Sequence, residues 1–271
     1  MANDPVGSTK TGLEILGEVI KLAGNDANVK KAGGELGKTA LTITRTVNNA
    51  LLPLAAVNFA FEKARKYFAE RFDQDLQEKA ANIPSEALIE PKASVAGPAL
   101  QGLAFAHEEE GLKNLFLELL AGAMDKRKAD LVHPAFVEIV KQLEAEEARH
   151  LQAILKTEIL PIGTLIKRHK INGSHINLLR HVLQMTTNGK PTIVEGLGAM
   201  VDNWSRLGLV TVSYTDTLTD ERRYEWLSTR PELTAQPPEL EESEFRIEWM
   251  RGIIYPTELG NRFGRAVGAS V

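Results

Sequence analysis

The residues that most resemble catalytic machinery form the stretch AGGELGKT, residues 32–39. A small residue, four spacers and Gly37-Lys38-Thr39 follow the relaxed spacing of a phosphate-binding loop. In such a loop backbone amides cradle phosphate and the lysine reaches its terminal groups. The geometry needs a buried strand before the loop and a helix after it, so that amide donors and the helix N-terminus converge. Here GNDANVKK precedes it without any apolar β-branched run, whereas the following ALTITRTVNNAL suits a helix. No later apolar strand ends in an aspartate placed to hold magnesium. Residues 32–39 therefore read as a glycine-rich break between helices, with Lys38 in solvent and no nucleotide cofactor.

Other chemistry-bearing types fare no better. Glu147 and His150 of EARH share a helical face, as in di-iron bundles. Those bundles need two such steps and two further glutamates, and His107 with Glu110 runs in the reverse order, so no metal is expected. The HEEE run at residues 107–110 suits an acidic first helical turn. His133 before Pro134 reads as a helix start, not a general base. Ser174 beside His175 has neither a nucleophile-elbow pattern nor a third orienting group. The absence of cysteine excludes thiolate nucleophiles, thiolate zinc sites and disulfides. The expectation is a protein that is not an enzyme, with no catalytic residue, cofactor or metal.

One charge feature survives. No acidic residue lies between Glu158 and Glu195, while Lys167, Arg168, Lys170, Arg180 and Lys190 are all basic. An acidic stretch follows, with Asp216, Asp220, Glu221, Glu239, Glu241, Glu242 and Glu244. Those five basic residues are the candidate partner-binding set, for DNA, an acidic protein, or another copy's acidic loop. The segment expected to enter a major groove, residues 192–206, carries Glu195 and Asp202 against a single Arg206. Base readout wants Arg, Lys, Asn or Gln there, so protein contact or self-association is favoured over nucleic acid.

The elements that must position these residues are mainly helical. The 271 residues are 43% hydrophobic and 25% charged with net charge -4, enough to build packed cores without a field that collects nucleic acid. Leu13, Leu16, Val19, Ile20 and Ala23 share one face of a first helix, and a long segment from Lys38 to Ala81 is interrupted at Pro53. The connector at residues 83–98 holds three prolines. Leu112, Leu115, Phe116, Leu119, Leu120 and Ala123 make the clearest apolar stripe, and Phe136, Ile139, Val140 and Leu143 make the next. Joined by DKRKAD, these two helices form an antiparallel hairpin, the unit of a bundle.

After Leu160 the pattern predicts a helix over SHINLLRHVLQMT, a second over TIVEGLGAMVDNWSRLG, a strand over LVTVSY, a long polar loop, a strand at GIIY and a helix over PTELGNRFGRAV. That order predicts a winged-helix-like α+β module over residues 158–271, following a helical region over residues 1–157. The N-terminus lacks a basic and apolar leader, and the apolar run at residues 50–61 is shorter than the ~20 residues a spanning helix needs. The expectation is cytoplasmic, with membrane insertion of residues 41–62 as an alternative.

The order ALIEPKASVAGPALQGLAF, LKNLFLELLAGAMD and HPAFVEIVKQLEAEEARHL, followed by NWSRLGLV, Tyr214, Tyr224 and GIIYPTELGNRF, resembles the abortive infection alpha (Abi-alpha) family of bacterial proteins. The similarity spans roughly residues 35–265, and the helical hairpin with its His133-Pro134 step is its most specific part. One departure is Glu146-Glu147, where an aspartate is expected to open the helix. The resemblance implies antiphage defence, in which an infected cell is stopped before phage multiply, and supplies no catalytic residue. A DNA-binding regulator acting through residues 165–206 is the competing expectation.

Overall fold

The computed structural model describes residues 42, 43, 45–47, 58–234 and 244–269. The expected first helix, the AGGELGKT break and most of the apolar segment at residues 41–62 lie outside them. Two compact units divide the chain: one ends at Arg149 and takes in Arg265–Gly268, and the other comprises His150–Gly264 with Ala269.

The first unit is helical: α1 (Asn58–Glu70), α2 (Phe72–Ala80), α3 (Ala93–Ala106), α4 (Glu110–Met124), α5 (Pro134–Val140) and the start of α6 (Ala145–Leu155). α4 is its axis. The six-residue apolar stripe is buried as its period demands, and Leu117, Ala121 and Lys113 are buried as well, so the helix is enclosed almost all round. α3 begins at Ala93, inside the expected connector, and continues through Pro98. The proline removes one bond to the residue four back, and burial of Val95, Ala96, Ala99, Leu100 and Leu103 offsets that loss. The connector is pinned to the end of α4 by Ile89 N donating to Met124 O (2.9 Å) and Lys126 N to Ala87 O (2.8 Å).

His133 caps α5: its Nδ1 accepts from Ala135 N at 3.1 Å, with Pro134 opening the helix. Burial of Lys113 is made tolerable by two carboxylates, Glu110 at 2.9 Å and Asp75 at 3.2 Å, and Tyr67 Oη donates to Asp75 at 3.0 Å.

The second unit departs from the winged-helix expectation. Residues His175–Val182, expected within a helix, form strand β2, and Leu160–His169 form strand β1. With β5 (Val210–Ser213) and β6 (Phe245–Pro256) they make a curled four-stranded antiparallel sheet in the order β2-β1-β6-β5. β1 pairs with β6 at ten successive positions, from Leu160↔Ile254 to His169↔Phe245. The expected strands at LVTVSY and GIIY do pair, as β5 with β6, but the other edge of β6 is taken by β1, a strand that was not expected. Between β1 and β5 lies a single helix, α7 (Leu197–Arg206), so the two successive helices expected there are missing among the described residues.

The reason is local. Asn172-Gly173 is a hairpin signal, and Gly173 takes φ 73°, which other residues adopt at a cost. Once that turn closes, Ile176 and the residues after it are drawn alongside β1. A small second hairpin, β3 (Thr186–Thr187) with β4 (Lys190–Pro191), turns at Asn188-Gly189. α7 packs against β2 and β5, burying Leu197, Val201 and Trp204, and α8 (Glu258–Ala266) closes the unit.

Candidate protein-docking surface

The β1–β2 hairpin gathers three of the five basic candidates. Lys167 and Arg168 are neighbours near the end of β1, and Lys170 sits in the turn. Alternation along a strand sends neighbours to opposite faces. Lys167 shares a face with its cross-strand partners Ile176 and Ile247, whereas Arg168 shares the other with His175 and Arg246. Lys167 Nζ lies 4.7 Å from the centre of the Phe245 ring, which also meets His169 edge-on at 5.0 Å. Arg168 is committed elsewhere: Nε donates to Glu248, which also binds Arg246 at 2.7 Å, and Nη1 donates to Gly173 O at 2.8 Å.

Around these cations the hairpin exposes aliphatic side chains. Ile171 is 85% exposed and Ile176 is 62% exposed. A shallow depression beside them, about 390 Å³, is lined by Lys167, Ser174, His175, Ile176 and Phe245. Cations flanking exposed isoleucines suit a partner with an apolar patch and acidic margins.

Arg180 and Lys190 belong to other places. Arg180 lies five residues along β2 from His175, about 16 Å of strand away from the hairpin tip. Its guanidinium approaches Asp202 of α7 at 3.7 Å. Lys190 stands on the β3–β4 hairpin, which is fixed at its base by a buried clamp. There Arg230, 1% exposed, donates from Nη1 to Met185 O (2.9 Å), from Nη2 to Thr192 O (2.8 Å), and from Nε and Nη2 to the Glu232 carboxylate (2.8 and 2.5 Å). The five basic residues thus form a tip cluster and two separate sites, not one patch.

Beside Arg180 is a polar node that the sequence did not disclose. His181 is 4% exposed and has φ 58°, a left-handed conformation uncommon for a residue with a side chain. Its Nε2 lies 3.1 Å from both Asp202 Oδ1 and the Arg180 guanidinium, and its Nδ1 lies 3.1 Å from Tyr214 Oη. As a neutral ring it can donate to Asp202 while accepting from Tyr214, or accept from Arg180 while donating to Tyr214. Burial pushes its pKa below the ordinary histidine value, Asp202 opposing, and burial raises that of Tyr214. Through these contacts the node ties β2, α7 and the end of β5 together. Its four residues lie at 180, 181, 202 and 214, too scattered for local spacing to link them, and of the four only His181 has a left-handed backbone.

The remaining candidates have structural surroundings. The Glu147 carboxylate accepts from Glu144 N at 3.2 Å, a helix-terminus contact at the start of α6. Among the described residues no group of three or more acids and histidines could hold a metal ion, and no helix is long and apolar enough to cross a membrane.

A family model described as abortive infection alpha matches residues 64–267, well over half of the chain. No curated protein and no solved structure matches it.

Proposed function

Because the chain belongs to the abortive infection alpha family, we propose that it is a bacterial antiphage defence factor that works inside the infected cell through protein contact rather than catalysis. The β1–β2 hairpin is the contacting element. The observation that carries this reading is the coincidence of Ile171 and Ile176, both exposed, with Lys167, Lys170 and His175 on a hairpin that contains no acid. Single exposed aliphatics are ordinary, but a pair at one hairpin end beside lysines makes a recognition feature. The partner is an acidic protein surface with an apolar centre. The DNA alternative is disfavoured because the helix expected to enter a groove, residues 192–206, carries Glu195 and Asp202 against a single Arg206, and the helix expected before it is strand β2.

Phage plating tests this. Cells carrying the intact protein should plate phage poorly, and cells carrying Ile171→Asp with Ile176→Asp should lose that protection at equal protein level. Removing each isoleucine from an interface costs about 1.5–3 kcal/mol, so partner affinity should fall about a hundredfold or more in the double variant. Protection unchanged by the double variant would overturn the hairpin's role. Unchanged plating with the intact protein, across a broad phage panel, would overturn defence itself.

A further inference from the structure

The first unit carries a second surface, independent of the hairpin. Between α3, α4 and α5 runs an open groove of about 470 Å³. Gly102 shapes it: a Cβ there would stand 2.4 Å from Phe116 Cζ, so only glycine lets the Phe116 ring lie against α3. Leu112, Phe116, Val140 and Leu143 supply the apolar floor, and Phe105, 59% exposed, stands at the edge.

The rim has a sign. Glu109 and Glu144 border the groove and make no ion pair among the described residues. Lys141 also borders it, but its ammonium is held by Glu138 at 2.9 Å. We infer that this groove binds an amphipathic helix of a partner protein, with apolar residues at i, i+3 or i+4 and i+7 and with Lys or Arg along its flanks.

Two observations support that occupant. An apolar trough beside an exposed aromatic is the form that accepts a helical apolar face. The acidic rim attracts a basic flank and repels a fatty acid or an anionic lipid. It also disfavours a second copy of this chain, because a two-fold contact across the groove would bring one acidic rim against another.

The test uses the full chain and a dye-labelled peptide of about 14 residues, about 21 Å as a helix, with Leu on one face and Lys on the other. An otherwise identical peptide carries Glu in place of Lys. Fluorescence anisotropy should show binding of the Leu/Lys peptide and at least about tenfold weaker binding of the Leu/Glu peptide. Phe105→Asp should weaken the Leu/Lys peptide about tenfold while leaving the thermal melt unchanged, since the side chain is exposed. Glu109→Lys with Glu144→Lys should reverse the preference between the two peptides. Equal binding of both peptides to the intact protein, affinity indifferent to Phe105→Asp, or a preference that survives the charge reversal would each overturn the inference.

Discussion

The imidazole of His181 stacks on the ring of Tyr214, with centroids 5.8 Å apart and planes inclined by 25°, while its Nδ1 lies 3.1 Å from the phenolic oxygen. The contact joins an edge strand to the chain just after β5, and Asp202 of α7 completes it. Stability of the second unit should therefore depend on the state of one ring.

Acidification should expose that dependence. Burial holds the His181 pKa below its unfolded value, so in the window between the two the unfolded chain binds the extra proton. The contribution is fully present above the unfolded value of about 6.5 and is lost as pH falls toward the folded one. The unfolding temperature should drop between pH 7.5 and pH 5.5. His181→Asn, which tolerates the left-handed backbone, should flatten that drop. Parallel melting curves for both proteins across the range would refute this.

Lys113 should not tolerate loss of its charge. Its ammonium is 7% exposed; burial opposes the charge, but Glu110 and Asp75 outweigh it and hold the pKa above the ordinary lysine value. Lys113→Met leaves the Asp75 carboxylate, 12% exposed, with Tyr67 as its remaining side-chain partner among the described residues, and should cost about 3–5 kcal/mol. Adding Asp75→Leu should recover much of that loss in a urea melt. Two separately additive costs would show that the pair is not coupled.

Arg230 should resist conservative replacement. Its planar fork serves Glu232 and two backbone carbonyls at once, a geometry that a lysine ammonium cannot reproduce. Arg230→Ala and Arg230→Lys should both destabilise, the former by about 3–5 kcal/mol. Amides at residues 185–192 should exchange faster in the lysine variant. A lysine variant matching the parent in melt and exchange would argue against the clamp.

Asp125 should mark the acid limb of the first unit. Hydrogen bonds from Arg127 hold its carboxyl below the usual carboxylate range, although burial opposes them. A carboxylate with a lowered folded pKa stabilises above its unfolded pKa and loses that contribution as pH falls through the folded value. Asp125→Asn should remove this acid-labile part. Arg127→Ala should cost little in itself, because that guanidinium is half exposed and screened. A larger loss in the alanine variant, measured by chemical unfolding, would mean that its bond to Asn82 O dominates.

Legibility differed between the two units. The stripe from Leu112 to Ala123 was readable because burial of a helix face repeats along the chain, and His133-Pro134 because capping involves near neighbours. Strand β5 and helices α7 and α8 were readable for similar reasons. Residues 174–186 were not: Ile176, Leu179 and Val182 fit a helical spacing, and the Asn172-Gly173 turn signal lies just outside that run. The five basic residues were visible as a run without acids, yet their dispersal into a tip and two other sites was not.

The sequence by itself determined which segments could be helical, the family to which they belong, and the acid-free interval from Glu158 to Glu195, since these follow from residue types at short range. Only the tertiary structure decided that Lys167 and Arg168 face opposite sides, that Glu248 occupies Arg168, and that His181, Asp202 and Tyr214 meet. Those outcomes depend on pairing β1 with β6 across some eighty residues. A choice between helix and strand at Ile176 is set by such long-range hydrogen bonding, which local spacing does not encode.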